Sequence, residues 1–108
     1  SSASIPMKYQ FVIQWSASSI EDYDAMIKIE ELLAEKLPGG SEVDGHDAGV
    51  GEVNIFIYTN SPGEIFAIAK EILVARGLFT GVRVAYRPVG SDLYTILWPD
   101  GLRRFEVA

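Results

Sequence analysis

The chain has 108 residues, of which 48% are hydrophobic and 22% charged, and its formal net charge is −6 at pH 7. This length suits one domain with a single buried core. The absence of cysteine excludes disulfides, thiol nucleophiles and thiolate metal sites. The acidic balance disfavours nucleic acids and anionic membranes as partners, because both bind cationic surfaces.

We expect residues 7–108 to form a single domain that starts at Met7, and we interpret residues 1–6 as an expression remnant. Residues 1–6 lack the basic start and the apolar core of a secretory signal. No apolar run reaches the roughly 18 residues that a membrane span needs. Because cysteine is also absent, the sequence predicts a cytoplasmic protein.

A strand followed by a helix is predicted at the start of the domain. Residues 8–15 alternate with a period of two, which turns their aromatic and aliphatic side chains to one face of a strand. The helix begins after the cap residues Ser18 and Ser19 and ends near Lys36, before Pro38. The helical side chains that should face the core are Ala25, Met26, Ile29, Leu32, Leu33 and Leu37.

Two further strands are predicted in the middle of the chain. Residues 41–52 contain three glycines and four acids, which indicates a short irregular strand and then a glycine-rich connection. Residues 53–58 alternate clearly. Their core-facing side chains should be Val53, Ile55 and Ile57. The opposite face should carry Asn54, Phe56 and Tyr58.

A second helix should follow the third strand. Thr59, Asn60 and Ser61 form a cap cluster, and Pro62 suits the first helical turn. Gly77 ends the helix as a residue suited to a left-handed cap. The predicted buried stripe comprises Ile65, Ile68, Ala69, Ile72 and Leu73.

The last third of the chain predicts strands only. Residues 82–87 and 93–98 have the composition of strands. A turn at residues 99–101, Pro-Asp-Gly, should return the chain as a short edge strand over residues 103–107. The two final strands would form a carboxyl-terminal hairpin.

The element order β-α-β-β-α-β resembles the ferredoxin-like, split β-α-β architecture, with the carboxyl-terminal hairpin as an addition. This resemblance implies an α+β sandwich in which two helices cover one face of an antiparallel sheet. It implies no particular function, since the architecture hosts many. Residues 44–57, DGHDAGVGEVNIFI, also resemble the signature of a small bacterial protein family to which no activity is attached.

The first candidate site is a polar cluster around the second and third strands. Its members are Asp44, His46, Asp47, Glu52 and Asn54. His46 is the only histidine, and an imidazole beside carboxylates can act as an acid–base group or bind a metal. The spacing matches no metal motif, and the acidic glycine loop does not match a phosphate loop. We therefore expect neither metal nor cofactor, and the residues also suit a plain turn.

The second candidate site is the sheet face away from the helices. Its expected members are Gln10, Val12, Gln14, Asn54, Phe56, Tyr58, Arg83 and Arg87. Aromatic rings beside arginines are typical of protein interfaces. An RNA-binding sheet would also show such rings, but the net charge of −6 opposes it. The alternative to an open interaction surface is a face covered by the carboxyl-terminal hairpin.

A third cluster lies in the carboxyl-terminal hairpin. Tyr94, Trp98 and Phe105, flanked by Arg103 and Arg104, have the composition of a binding hot spot. We favour the other interpretation, in which these rings close one end of the core. The acids of the first helix, Glu30, Glu31 and Glu35, are interpreted as a solvated face.

These features favour a non-enzymatic module that binds a protein partner, or its own copy, through the acidic loop and an open sheet face. An immunity protein that inhibits a toxin is one concrete form. The first alternative is a small cofactor-independent enzyme, in which Asp44 or Glu52 orients His46. The second alternative is a small-ligand-sensing domain.

Overall fold

The computed structural model describes residues 8–17, 20–49 and 51–107. In chain order its elements are β1 (Tyr9–Ser16), α1 (Ile20–Lys36), β2 (Glu42–Gly49), β3 (Glu52–Thr59), α2 (Pro62–Ala75), a 3-10 turn (Phe79–Gly81), β4 (Val82–Pro88) and β5 (Thr95–Trp98). The predicted α+β class is confirmed. The expected remnant at residues 1–6, the start at Met7 and the cap at Ser18 and Ser19 lie outside the described residues.

The described strands form one five-stranded sheet in the order β2-β3-β1-β4-β5. Each neighbouring pair is antiparallel. β1 lies at the centre, where Ile13 is opposite Ile55 of β3 on one side and Val84 of β4 on the other. Among the described residues, neither helix has the length and apolar character needed to cross a bilayer.

The main core lies between the sheet and the two helices, as the alternation predicts. Phe11 and Ile13 of β1 and Ile55 and Ile57 of β3 are fully buried in it. The helices contribute Met26, Ile29, Leu33, Ile65, Ala69, Ile72 and Leu73. Burying one such large side chain contributes about 1.5–3 kcal/mol to stability. The predicted phase of residues 53–58 is thereby confirmed.

The end of α2 also matches its prediction. Gly77 adopts a φ of 71°, which is accessible to glycine at little cost. The backbone N–H of Leu78 then donates to the carbonyl of Leu73 over 2.9 Å. This bond satisfies a carbonyl that the helix end would otherwise leave unpaired.

β2 is longer than expected and contains a bulge. The sequence predicts a glycine-rich connection after a short strand, whereas β2 continues to Gly49. Its register against β3 shifts by one residue between Val43 and Gly45. Gly45 has a φ of 150° at this shift. A bulge reverses the alternation beyond it, so the following side chains point to the faces opposite to those of an unbroken strand.

The carboxyl-terminal return strand is not formed. β5 is limited to Thr95–Trp98, and residues 102–107 adopt no regular secondary structure. Instead, Phe105 is 7% exposed and packs with Val12 and Ala85 on the sheet face opposite the helices. Burying an aromatic side chain there removes more apolar area from water than an exposed edge strand would.

The rings of the third predicted cluster close the structure rather than project from it. Trp98 stacks on Phe79 with a centroid distance of 4.5 Å, and its indole N–H donates to the Phe79 carbonyl over 3.1 Å. Tyr94 lies against Phe105, with centroids 4.9 Å apart. The core-closing interpretation of these rings therefore matches the contacts they make.

Candidate functional site

The sheet face opposite the helices is divided into a covered half and an uncovered half. On the central strand β1, Gln10 and Gln14 are only 8% and 2% exposed, and Val12 is fully buried. The carboxyl-terminal segment, residues 91–107, covers this half through Phe105 and its neighbours. The expected open surface is therefore closed over β1 and β4.

A polar network lies at one end of the covered half. The Gln14 side-chain oxygen accepts a 2.7 Å hydrogen bond from Nε of Arg83. The Gln14 amide nitrogen lies 2.7 Å from the Glu106 carbonyl, 3.0 Å from Oδ1 of Asn54 and 3.1 Å from Oε1 of Glu52. Three strands and the carboxyl-terminal segment thus meet at one amide group. A buried network of this kind stabilises one arrangement, because each unpaired member would be costly.

Both arginines expected on a docking face are engaged within the chain. Arg83 bonds to Gln14, and its Nη2 lies 4.0 Å from Oε2 of Glu52. Arg87 donates from Nη1 to the Ser91 carbonyl over 2.9 Å. The Arg87 contact holds the turn by which the chain leaves β4.

The uncovered half lies over β2 and the adjoining side of β3. Phe56 and Tyr58 are half-buried, and Asp47 opposite Asn54 is exposed. Phe56 lies at the boundary of the two halves, because it packs against the cluster of Val12, Ala85 and Phe105. A Cβ atom built on Gly45 or on Gly49 would meet no heavy atom within 4 Å. The β2 side of the two rings is therefore accessible to a partner.

His46 points to the helix layer and not to the polar network. The bulge places His46 opposite Ile55, a core residue. Its Nδ1 atom lies 3.0 and 3.1 Å from the two carboxylate oxygens of Glu30 on α1. Its Nε2 atom lies 3.4 Å from the Tyr23 hydroxyl. Since a carboxylate only accepts, Nδ1 carries the proton in this arrangement.

The carboxylate beside His46 corrects the expected pairing. The sequence predicts Asp44 or Glu52 in this position. Glu52 lies on the opposite face of the sheet with Gln14 and Asn54. Asp44 makes no recorded contact with His46 among the described residues, and Glu30 takes the orienting position instead. Glu30 was expected on a solvated face. The seven-residue spacing of Tyr23 and Glu30 places both on one side of α1, but nothing in the sequence says which strand faces them.

The remaining acids of the polar cluster, Asp44 and Asp47, lie on an exposed acidic strand together with Glu42, which the sequence does not single out. We call this feature the acidic edge, defined by Glu42, Asp44 and Asp47 of β2. All three are exposed, and residues 42–49 contain no lysine or arginine. β2 is also an outer strand of the sheet, so it presents unpaired backbone groups to one side. Two residues of the predicted site, Asp44 and Asp47, therefore lie on an accessible strand.

An open cavity of about 470 Å³ adjoins the polar network. It is lined by Glu52, Asp92, Tyr94, Phe105, Glu106 and Val107. Within the described ranges, no group of three or more histidine and acidic side chains could hold a metal ion. The cavity is acidic and aromatic, and it does not include His46.

A scan against protein-family models finds no match to this chain, and searches of curated proteins and of solved structures also find none. Function therefore has to be inferred from the geometry of the chain itself.

Proposed function

We propose that the protein is a non-enzymatic binding module that recognises a basic protein partner through the acidic edge. The observation that carries this proposal is the exposure of Glu42, Asp44 and Asp47 on an outer strand that contains no lysine or arginine. The overall charge of −6 has the same sign. An acidic surface of this kind speeds the encounter with a cationic partner. An immunity protein against a basic toxin is one form of such a module.

A basic partner is favoured over a second copy of the chain. Pairing two β2 strands side by side would place the acids of one copy next to those of the other. Like charges opposite each other across strands are destabilising. The same acids protect the outer strand against unspecific pairing, which leaves a cationic protein as the best occupant.

Within the α+β class, we infer that the chain adopts the ferredoxin-like, split β-α-β architecture. The order β2-β3-β1-β4 supports it. In that order each helix joins two strands that are separated by one intervening antiparallel strand. β5 extends this sheet next to β4.

The test compares two charge-reversed variants that have the same net charge. Asp44→Lys/Asp47→Lys alters the acidic edge, whereas Glu64→Lys/Glu71→Lys alters exposed acids of α2. Each immobilised variant is incubated with a lysate of the source cells, and retained proteins are identified by mass spectrometry. The candidate is then purified and titrated at several salt concentrations.

We expect a basic protein that binds the wild type and the α2 variant, and whose affinity falls about tenfold or more with the edge variant. The wild-type affinity should also fall with salt. Equal binding to both variants, or no protein that distinguishes them, would contradict the proposal.

A small cofactor-independent enzyme is the second candidate, favoured by the contact between Glu30 and Nδ1 of His46. A carboxylate at Nδ1 fixes the imidazole tautomer and leaves Nε2 as the proton acceptor. The test measures hydrolysis of p-nitrophenyl esters and phosphates by the wild type and by His46→Asn. Turnover that is absent, or equal in both proteins, counts against this candidate.

A further inference from the structure

We propose that the uncovered half of the sheet face binds an arginine side chain of the basic partner, in the gap above Gly45. This inference rests on the proposed function, because it names how the partner is recognised. The proposed function depends on the negative charge of the acidic edge, whereas this inference depends on specific contacts to one arginine side chain. The gap, which we call the arginine gap, is bounded by Glu42, Gly45, Asp47, Phe56 and Tyr58.

The register places a carboxylate at each end of the arginine gap. On β3, Tyr58 and Phe56 point to the same face, and successive side chains on one face are about 7 Å apart. Across from them on β2, Glu42 is opposite Tyr58 and Gly45 is opposite Phe56. Asp47 follows on the same face, opposite Asn54. An empty position is thus flanked by two acids.

The gap is a consequence of the bulge. Gly45 has a φ of 150°, a conformation that residues with a side chain rarely adopt. A Cβ atom at this position would meet nothing within 4 Å. The bulge therefore requires a residue without a side chain beside a half-buried ring. Phe56 packs on one side against the cluster of Val12, Ala85 and Phe105, so the open space lies above Gly45, opposite Phe56 on β2.

The two acids beside the gap have no recorded partner in the part of the chain that the structure describes. In the described ranges, neither Glu42 nor Asp47 makes a side-chain hydrogen bond or an ion pair. By contrast, Arg83 and Arg87 are held by Gln14 and Ser91. Unpaired carboxylates beside accessible rings attract a cation that can contact both.

Guanidinium fits these surroundings better than ammonium. It is planar, it stacks on aromatic rings, and it forms hydrogen bonds to carboxylates in the plane of the group. Ammonium is more strongly hydrated and lacks the flat surface. We therefore expect arginine to be preferred over lysine at this position.

The experiment uses three acetylated and amidated peptides of the form Ser-Thr-X-Thr-Ser, in which X is arginine, lysine or citrulline. Each is titrated into the ¹⁵N-labelled full chain, and amide chemical shifts are followed by NMR. Citrulline is the matched control, because it keeps the shape of arginine without the charge. The variants are Tyr58→Leu and Glu42→Gln/Asp47→Asn, with Glu64→Gln/Glu71→Gln as the charge-matched control.

We expect saturable shifts concentrated at residues 45, 47, 56 and 58, with binding in the order arginine, lysine, citrulline. Tyr58→Leu and the double variant at the gap should each weaken arginine binding about threefold or more, and the α2 control should not. The spectra also report whether each variant is folded. Shifts spread evenly over all acidic residues, or binding unchanged in the gap variants, would overturn the proposal.

The two proposals fail in different ways. If Asp44→Lys/Asp47→Lys weakens partner binding while Tyr58→Leu changes neither partner nor peptide binding, the acidic edge acts by charge alone and the arginine gap is wrong. If the edge variant binds its partner normally, the proposed function itself is wrong.

Discussion

Nδ1 of His46 lies 3.0 Å from a carboxylate oxygen of Glu30, so that a polar contact ties the outer strand β2 to α1. His46 can reach the helix because the bulge before it turns its side chain to that face. The contact is partly open to solvent, with side-chain exposures of 30% for His46 and 20% for Glu30. It therefore secures one strand rather than the whole fold.

His46→Asn and Glu30→Gln should each lower the free energy of unfolding by about 0.5–1 kcal/mol, because a partly exposed contact of a carboxylate contributes modestly. The double variant should lose less than the sum of both, since one interaction is removed twice. Urea unfolding of the four proteins measures this coupling. Glu31, the exposed residue next to Glu30, provides the control. Glu31→Gln should not change the free energy of unfolding. Additive losses would show that the contact contributes nothing.

Gln14→Met should lower the free energy of unfolding by about 2 kcal/mol. Methionine has a similar volume, but it leaves Arg83, Asn54 and the Glu106 carbonyl without their shared partner. Gln10→Met is the matched control on the same strand and face. Gln10 makes no side-chain hydrogen bond among the described residues, so its replacement should be nearly neutral. Chemical denaturation compares the two variants, and equal losses would contradict the role of the network.

Phe105→Ala should uncover the sheet face as well as destabilise the chain. Truncating a buried phenylalanine costs about 3–5 kcal/mol, and Phe105 is 7% exposed against Val12 and Ala85. We expect greater binding of a hydrophobic dye and faster trypsin cleavage after Arg103 and Arg104. Leu93→Ala is the control, because Leu93 is 80% exposed. Unchanged dye binding and cleavage in Phe105→Ala would indicate that another part of the chain covers this face.

The sequence predicts the elements whose side chains repeat with a clear period. The alternation in residues 53–58 and the spacing of Met26, Ile29 and Leu33 state directly which side is buried, and the burial agrees. Such patterns involve residues that are close in the sequence, so they predict which side chains are buried before the fold is known.

The parts that the sequence does not predict depend on contacts between distant residues. The bulge at Gly45 decides which face His46 joins, and one residue of register changes that face. The pairing of His46 with Glu30 on α1 follows from that register. Phe105 covers Val12 although 92 residues lie between them in the chain. No periodic pattern encodes these contacts. The sequence offers a face covered by the carboxyl-terminal hairpin as an alternative, but it does not show which half of the face is covered.

Gly45→Ala and Gly49→Ala form a matched pair that tests the bulge. Both positions have open space for a Cβ atom, but only Gly45 has a φ, 150°, that alanine rarely adopts. Gly45→Ala should therefore lower the free energy of unfolding by about 1–3 kcal/mol through backbone strain. Gly49→Ala should be neutral or stabilise by up to about 1 kcal/mol, because it restricts the unfolded chain. Thermal and urea unfolding measure both.

The same pair also reports on the side chains beyond the bulge. If Gly45→Ala removes the register shift, His46 turns away from α1 and loses its contact with Glu30. NMR signals of the His46 ring should then change in Gly45→Ala and stay unchanged in Gly49→Ala. Equal stability of the two variants, together with unchanged ring signals, would mean that the bulge does not control the direction of His46.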